Sequence, residues 1–133
     1  MQKVSWLILV AVGLFGLWFV VQMYASESGE VLVIHTVDEA GVPRDTRLWV
    51  VDEVGHAWIR AGTANAGWFR RLQAQPYTDM VRGDRSIAIT AVPVPDAKER
   101  VNALMAEKYG WADQFIGFFF SRDKAVPIRL DPR

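Results

Sequence analysis

The residues whose spacing carries the most chemistry lie between Ala57 and Pro76. Trp58, Ile59 and Ala61 read as strand, and Gly62 to Gly67 is a run of small residues. Trp68 and Leu72 are four apart, so they share one face of a short helix that Pro76 stops. Glycines let backbone N–H groups approach a ligand closely. Arg60 stands on the strand, and Arg70 and Arg71 stand in the helix. A small-residue loop feeding a helix N-terminus among arginines can cradle an anion. The same pattern fits an ordinary strand-to-helix connection with a solvated basic helix. Arg44 and Arg47 lie on the one preceding predicted strand, with Thr46 between them. Arginine grips phosphate through paired hydrogen bonds, so neighbouring strands that brought these residues together would hold one phosphate. A single cradle therefore requires the 62–67 loop to face the Arg44–Arg47 strand.

Other chemistry is sparse. There is no cysteine, which excludes disulfides, thiolate metal sites and cysteine nucleophiles. His35 and His56 lie on separate predicted strands and lack a third ligand, a weak basis for a metal site. The chain contains no Gly-x-Ser-x-Gly elbow, no phosphate-loop Gly-Lys-Ser/Thr and no Gly-x-Gly-x-x-Gly. Asp38, Glu39 and Asp84 fit turns better than general-base roles. Bases and acids balance at 15 each, so a nucleic-acid partner is excluded. The aromatic stretch Trp111 to Phe120 reads either as core packing or as an exposed face for lipid, a partner or a stacked ring.

The elements that position these residues follow from pattern. Residues 1–25 form a signal-anchor helix, 26–30 a polar linker and 31–133 one domain. Val4 to Tyr24 is almost unbroken apolar sequence, and as a helix it spans about 31 Å, enough for a bilayer core. Trp6, Trp18 and Tyr24 are placed as interface anchors, and the length favours a retained anchor over a cleaved signal. Lys3 precedes the span, whereas Glu27, Glu30, Asp38, Glu39 and Asp45 follow it with only Arg44 as a base. This asymmetry orients the N-terminus to the cytoplasm and the domain outside. Val31–Val37 and Arg44–Val51 form a hairpin, and His56–Ala61 is a third strand. Thr78–Arg82 and Arg85–Val94 meet at Gly83-Asp84, and Lys124–Leu130 is the last strand. Asp96–Tyr109 reads as a helix with Asp96 as N-cap, a Val101, Leu104, Met105, Lys108 stripe and Gly110 as C-cap. Six short strands with tight turns make a mainly β fold, a small barrel or sandwich with helical insertions.

Three segments add a family resemblance. Pro43-Arg-Asp-Thr-Arg-Leu-Trp-Val-Val51, Trp58-Ile-Arg-Ala-Gly62 and Gly67-Trp-Phe-Arg-Arg-Leu72 with Pro76 resemble the nitroreductase/quinone-reductase group of the flavin-binding split β-barrel superfamily. That group includes the deazaflavin-dependent nitroreductases and is related to pyridoxamine-phosphate-oxidase-like barrels. Lys108-Tyr109-Gly110 is similar to a motif in small bacterial domains of this kind. The resemblance spans Val31 to Leu130. It implies a six-stranded antiparallel split β-barrel; the one transmembrane helix before it, expected to sit in a bacterial inner membrane, is a departure from that family. It implies an oxidoreductase using FMN or a deazaflavin on quinones or nitro compounds, with a homodimer allowed. Carried over, Arg44, Thr46, Arg47, Arg60, Gly62, Trp68 and Arg71 would hold the cofactor phosphate. The turn Asp38-Glu-Ala-Gly-Val42 is acidic where deazaflavin reductases carry a basic turn, which counts against a polyglutamate-tailed deazaflavin. A non-catalytic binder of an anionic small molecule, and a membrane-tethered interaction module with no cofactor, remain alternatives.

Overall fold

The computed structural model describes residues 2–27, 29–119 and 121–133. Met1, Ser28 in the linker and Phe120 at the end of the aromatic stretch lie outside them, as does the side chain of the anchor candidate Tyr24. In chain order the elements are α1 (Gln2–Glu27), β1 (Val31–Val37), β2 (Pro43–Trp49), β3 (Val51–Glu53), β4 (His56–Ala61) and α2 (Gly67–Ala74). They continue with β5 (Tyr77–Arg82), β6 (Arg85–Pro93), a 3-10 turn (Pro95–Ala97), α3 (Lys98–Tyr109), α4 (Trp111–Phe119) and β7 (Val126–Pro132).

The seven strands form one antiparallel sheet in the order β2-β1-β5-β6-β7-β4-β3. Its two edge strands are halves of a single run of chain, residues 43–53, interrupted at Val50. One run thus borders both edges, and the sheet curls into a split barrel. The sequence reading took this run as one strand and counted six. The break has an identifiable cause. The Val50 N–H donates to the Tyr109 hydroxyl (2.9 Å), and its carbonyl accepts from Lys108 Nζ (2.7 Å). Backbone groups that would have continued a ladder are satisfied by helix α3 instead.

Strand alternation supplies the barrel interior. On β1, Leu32, Ile34 and Thr36 point inward while their neighbours face out. They meet Val50, Ile59, Ala61, Met80, Ile89, Ala91, Ile128 and Leu130, and α2 closes the barrel with Phe69 and Leu72. A second cluster, Val51, Val101, Met105 and Tyr109, fixes α3 against the outside of β3 and β4. The β1–β2 turn is built by Asp38, whose carboxylate accepts from the N–H groups of Ala40 and Val42 (both 2.9 Å). At the start of α3, Asp96 falls in the 3-10 turn, and Ala97 occupies the N-cap without a side-chain bond. Gly110 caps the C-terminus at φ +53°, and α4 starts at the next residue.

A polar clasp joins α1's exit to the barrel. Arg82 on β5 binds Glu30 through two nitrogens (2.8 and 3.0 Å) and Asp52 through two (2.7 Å each). Lys108 Nζ also reaches Glu30 (2.6 Å). Tyr109 stacks on Trp49 at 4.2 Å, and its hydroxyl lies 2.6 Å from the Glu30 carbonyl and 3.0 Å from that of Val50. Hydrogen bonds from Arg82 and then Lys108 hold the Glu30 carboxyl at about 2.

Candidate functional site

Arg60 is the residue to build from. Ile59 and Ala61 occupy the barrel interior, so alternation sends Arg60 to the outer face, where α3 and α4 cover it. Its side chain is 6% exposed. Nη1 donates to Asn102 Oδ1 on α3 (3.0 Å), and Nη2 donates to Asp113 Oδ1 on α4 (2.9 Å). Asp113 Oδ1 accepts a second guanidinium, Arg122 Nη2, at 3.1 Å. A buried cation and a half-buried one therefore share one carboxylate, and a unit of positive charge is left over. Burial, and then the nearby Arg60 charge, lower the pKa of Arg122. Arg122 Nε is buried without a hydrogen-bond partner among the described residues. An orphaned buried N–H typically costs about 1–3 kcal/mol, a cost that a bound acceptor removes.

These arginines line a cleft of about 180 Å³. β2 contributes Arg47, Leu48 and Trp49, β4 and its following turn contribute Arg60 and Gly62, and Met105 and Ile116 close the wall from α3 and α4. A side chain at Gly62 would meet nothing within 4 Å, so the backbone here is openly accessible. No histidine, carboxylate, hydroxyl or thiol lines the cleft among the described residues. The arrangement can bind and orient an anion, and acid–base or covalent chemistry would have to come with the ligand.

A second, larger cleft of about 630 Å³ lies between the β1–β2 turn and α2. Val37, Asp38 and Glu39 face Gly67, Arg70 and Arg71 across it. Here acids oppose bases. Arg71 Nε donates to Thr36 Oγ1 (3.0 Å), and Thr36 donates in turn to the Arg44 carbonyl (3.2 Å).

The residues expected to form one cradle are thus divided. Arg47, Arg60 and Gly62 share the first cleft. Arg71 lies in the second. Arg44 pairs with Asp38 at the β1–β2 turn (3.2 Å). Thr46 is half-buried on β2 opposite Ile34, and Trp68 packs beside Phe69 against the barrel core. The start of the small-residue loop faces β2, and its end faces the acidic turn. Sequence reasoning missed Asp113, Arg122 and Asn102. One signal was available: Asp113 is the single charged residue in an aromatic helix, and a buried carboxylate requires a cationic partner. The histidines separate, His35 to Asp45 (2.6 Å) and His56 to Asp131 (3.3 Å). No acidic or histidine cluster fit for a metal occurs among the described residues.

No protein-family model and no curated protein sequence matches the chain. Solved structures do match. One is named F420 reductase, with TM-score 0.58 and 17% identity, covering 82% of this chain and 90% of that one. A putative pyridoxamine 5'-phosphate oxidase from Listeria innocua matches at TM-score 0.56 and 16% identity, covering 84% and 90%. A chain described as a domain-swapped dimer matches at TM-score 0.57 and 22% identity, covering 78% and 80%. The chain shares its split-barrel fold with these proteins.

Proposed function

We propose that this chain is a membrane-anchored, flavin-type oxidoreductase. It binds FMN or a deazaflavin through the cofactor's phosphate and passes hydride to quinones or nitro compounds. The observation that carries the reading is the pairing of Arg60 and Arg122 on one carboxylate, with Arg122 Nε lacking an acceptor among the described residues beside an open cleft. A phosphate oxygen supplies both the missing acceptor and the missing charge. Arg47 and Gly62 line the same cleft, where they would help orient that group. The cleft's size suits the phosphate-bearing end, and Trp49 and Leu48 lead outward along β2. The balanced charges of the second cleft make Arg71 the poorer phosphate ligand. When bound, the cofactor supplies the hydride chemistry that the lining residues lack.

α1 crosses the bacterial inner membrane once and holds the barrel outside the cytoplasm, and the working form is a homodimer like that recorded for a matching barrel. The test is titration of the detergent-solubilised protein with FMN and with a deazaflavin, followed by flavin fluorescence. Saturable binding is expected, weakened about 10- to 100-fold by Arg122→Ala, the value of a charge-assisted hydrogen bond. Failure to bind either cofactor, or unchanged binding by the variant, overturns the proposal. Because no acid–base group lines the cleft, binding without reduction of a soluble quinone would identify a non-catalytic binder.

A further inference from the structure

α4 is built inside out for a helix at a water-facing surface. Such helices turn their charged residues outward. The single charged residue of α4, Asp113, points inward to Arg60 and Arg122. Ile116 faces the arginine cleft. Among the described residues, the exposed positions of α4 are Gln114 and three aromatics: Phe118 is 84% exposed, Trp111 53% and Phe119 46%. Phe118 and Phe119 meet edge to face at 5.2 Å, and Phe119 meets Phe115 likewise at 5.4 Å, forming a continuous apolar ridge.

This ridge runs onto α1. Trp18 of α1 contacts the Phe119 ring edge to face at 5.5 Å. Trp18 falls within Lys3–Val21, the segment long and apolar enough to cross a bilayer, none of which is buried by the rest of the chain. Three residues from Val21, it sits about 4.5 Å inside that segment's C-terminal end. Phe119 therefore lies at the depth of a residue in the span.

We infer that α4 is an in-plane membrane helix: its aromatic ridge is seated in the lipid bilayer beside α1. The occupant is lipid because the ridge is continuous with α1, and what covers α1 covers its neighbour. Trp, Phe and Leu on one face with the polar contacts on the other is the pattern of helices lying in the interface. The arginine cleft, whose wall includes Ile116 of α4, then opens at headgroup level, within reach of molecules dissolved in the membrane. The inference rests on the reading of α1 as a membrane-spanning helix.

The chain contains no cysteine, so one introduced thiol reports on one position. Full-length Phe118→Cys, Leu14→Cys and Val54→Cys would each be spin-labelled and reconstituted in phosphatidylcholine–phosphatidylglycerol vesicles. Relaxation by oxygen, which concentrates in lipid, is compared with relaxation by a water-soluble nickel chelate. Val54 is 89% exposed in the β3–β4 turn, so its label is expected to respond to nickel. Labels at Leu14 and Phe118 are expected to respond to oxygen. Phe118 makes few contacts that its loss would remove, so the variant folds. Nickel-dominated relaxation at 118 with oxygen-dominated relaxation at 14 overturns the inference and leaves the anchor standing. Nickel-dominated relaxation at 14 removes the anchor itself. An immobilised 118 label that neither reagent reaches means a protein surface covers the ridge, which also overturns the inference.

Discussion

Arg60 and Arg122 touch the same oxygen of Asp113, yet their removal should have different consequences. Arg60→Ala strips a buried carboxylate of one cation and leaves Asn102 Oδ1 without its donor. Breaking a buried pair in this way costs about 3 kcal/mol, so thermal unfolding should fall by several degrees even without ligand. Arg122→Ala leaves a neutral Arg60–Asp113 pair and removes an unsatisfied N–H, so its unfolding temperature should stay near wild type while cofactor affinity drops. Glu30 gives a pH prediction of known sign. Its folded pKa of about 2 lies below the ordinary value of 4.5, so its stabilisation is complete above about pH 4.5 and is lost as pH falls toward 2. Asp52, also depressed by Arg82, adds to the same trend. Glu30→Gln should unfold at a lower temperature at pH 7 and show a flatter decline into acid, measured by circular dichroism. At this scale the sequence pointed to Arg60 beside Gly62 because an arginine next to a glycine loop is a local pattern, and to Arg47 on the strand before it; the structure lines one cleft with all three. Asp113 and Arg122 were not, since their meaning comes from a partner more than fifty residues away on β4.

Among the elements, the break at Val50 shows where local pattern ends. Trp49, Val50 and Val51 are all good strand formers, and nothing in them announces an interruption. The cause sits on α3, where Lys108 and Tyr109 draw the Val50 backbone out of the ladder. Replacing Tyr109 by Phe keeps the ring stacked on Trp49 but deletes the hydroxyl that serves Val50 and Glu30. Leaving the buried Val50 N–H unpaired should lower stability by about 1–3 kcal/mol in denaturant unfolding. Little change would mean that the run can close as one continuous strand. Other elements were readable to within a residue or two, since β1, β4 and α2 carry complete signals of their own, alternation or helical spacing bounded by Gly and Pro. Asp96 misled for the opposite reason. The capping pattern is present, but Pro95 starts a 3-10 turn that leaves Asp96 one residue before the α3 cap position, Ala97.

At the scale of the molecule, short strands and tight turns made a small barrel or sandwich legible, the family resemblance narrowed it to a split barrel, and solved barrels at 16–22% identity share that fold. The relation between barrel and α1 is not, because it depends on the Glu30–Arg82–Asp52 clasp and on the packing of α4 against α1. The side of the membrane is testable directly. A C-terminal alkaline phosphatase fusion should be active and a C-terminal green fluorescent protein fusion dark, and the reverse pair would place the barrel in the cytoplasm. Only residues 28–30 separate α1 from β1, a spacer of at most about 10 Å, and Glu30 within it is tied to β5 and α3. With α1 in a membrane, as proposed, so short a leash would remove one dimension from the protein's encounters. The barrel could not swing out to sample solution and would meet its partners by sliding in a plane. What sets the encounter rate would then be how many partners occupy each unit of membrane area, a number that dilution of the surrounding fluid leaves unchanged.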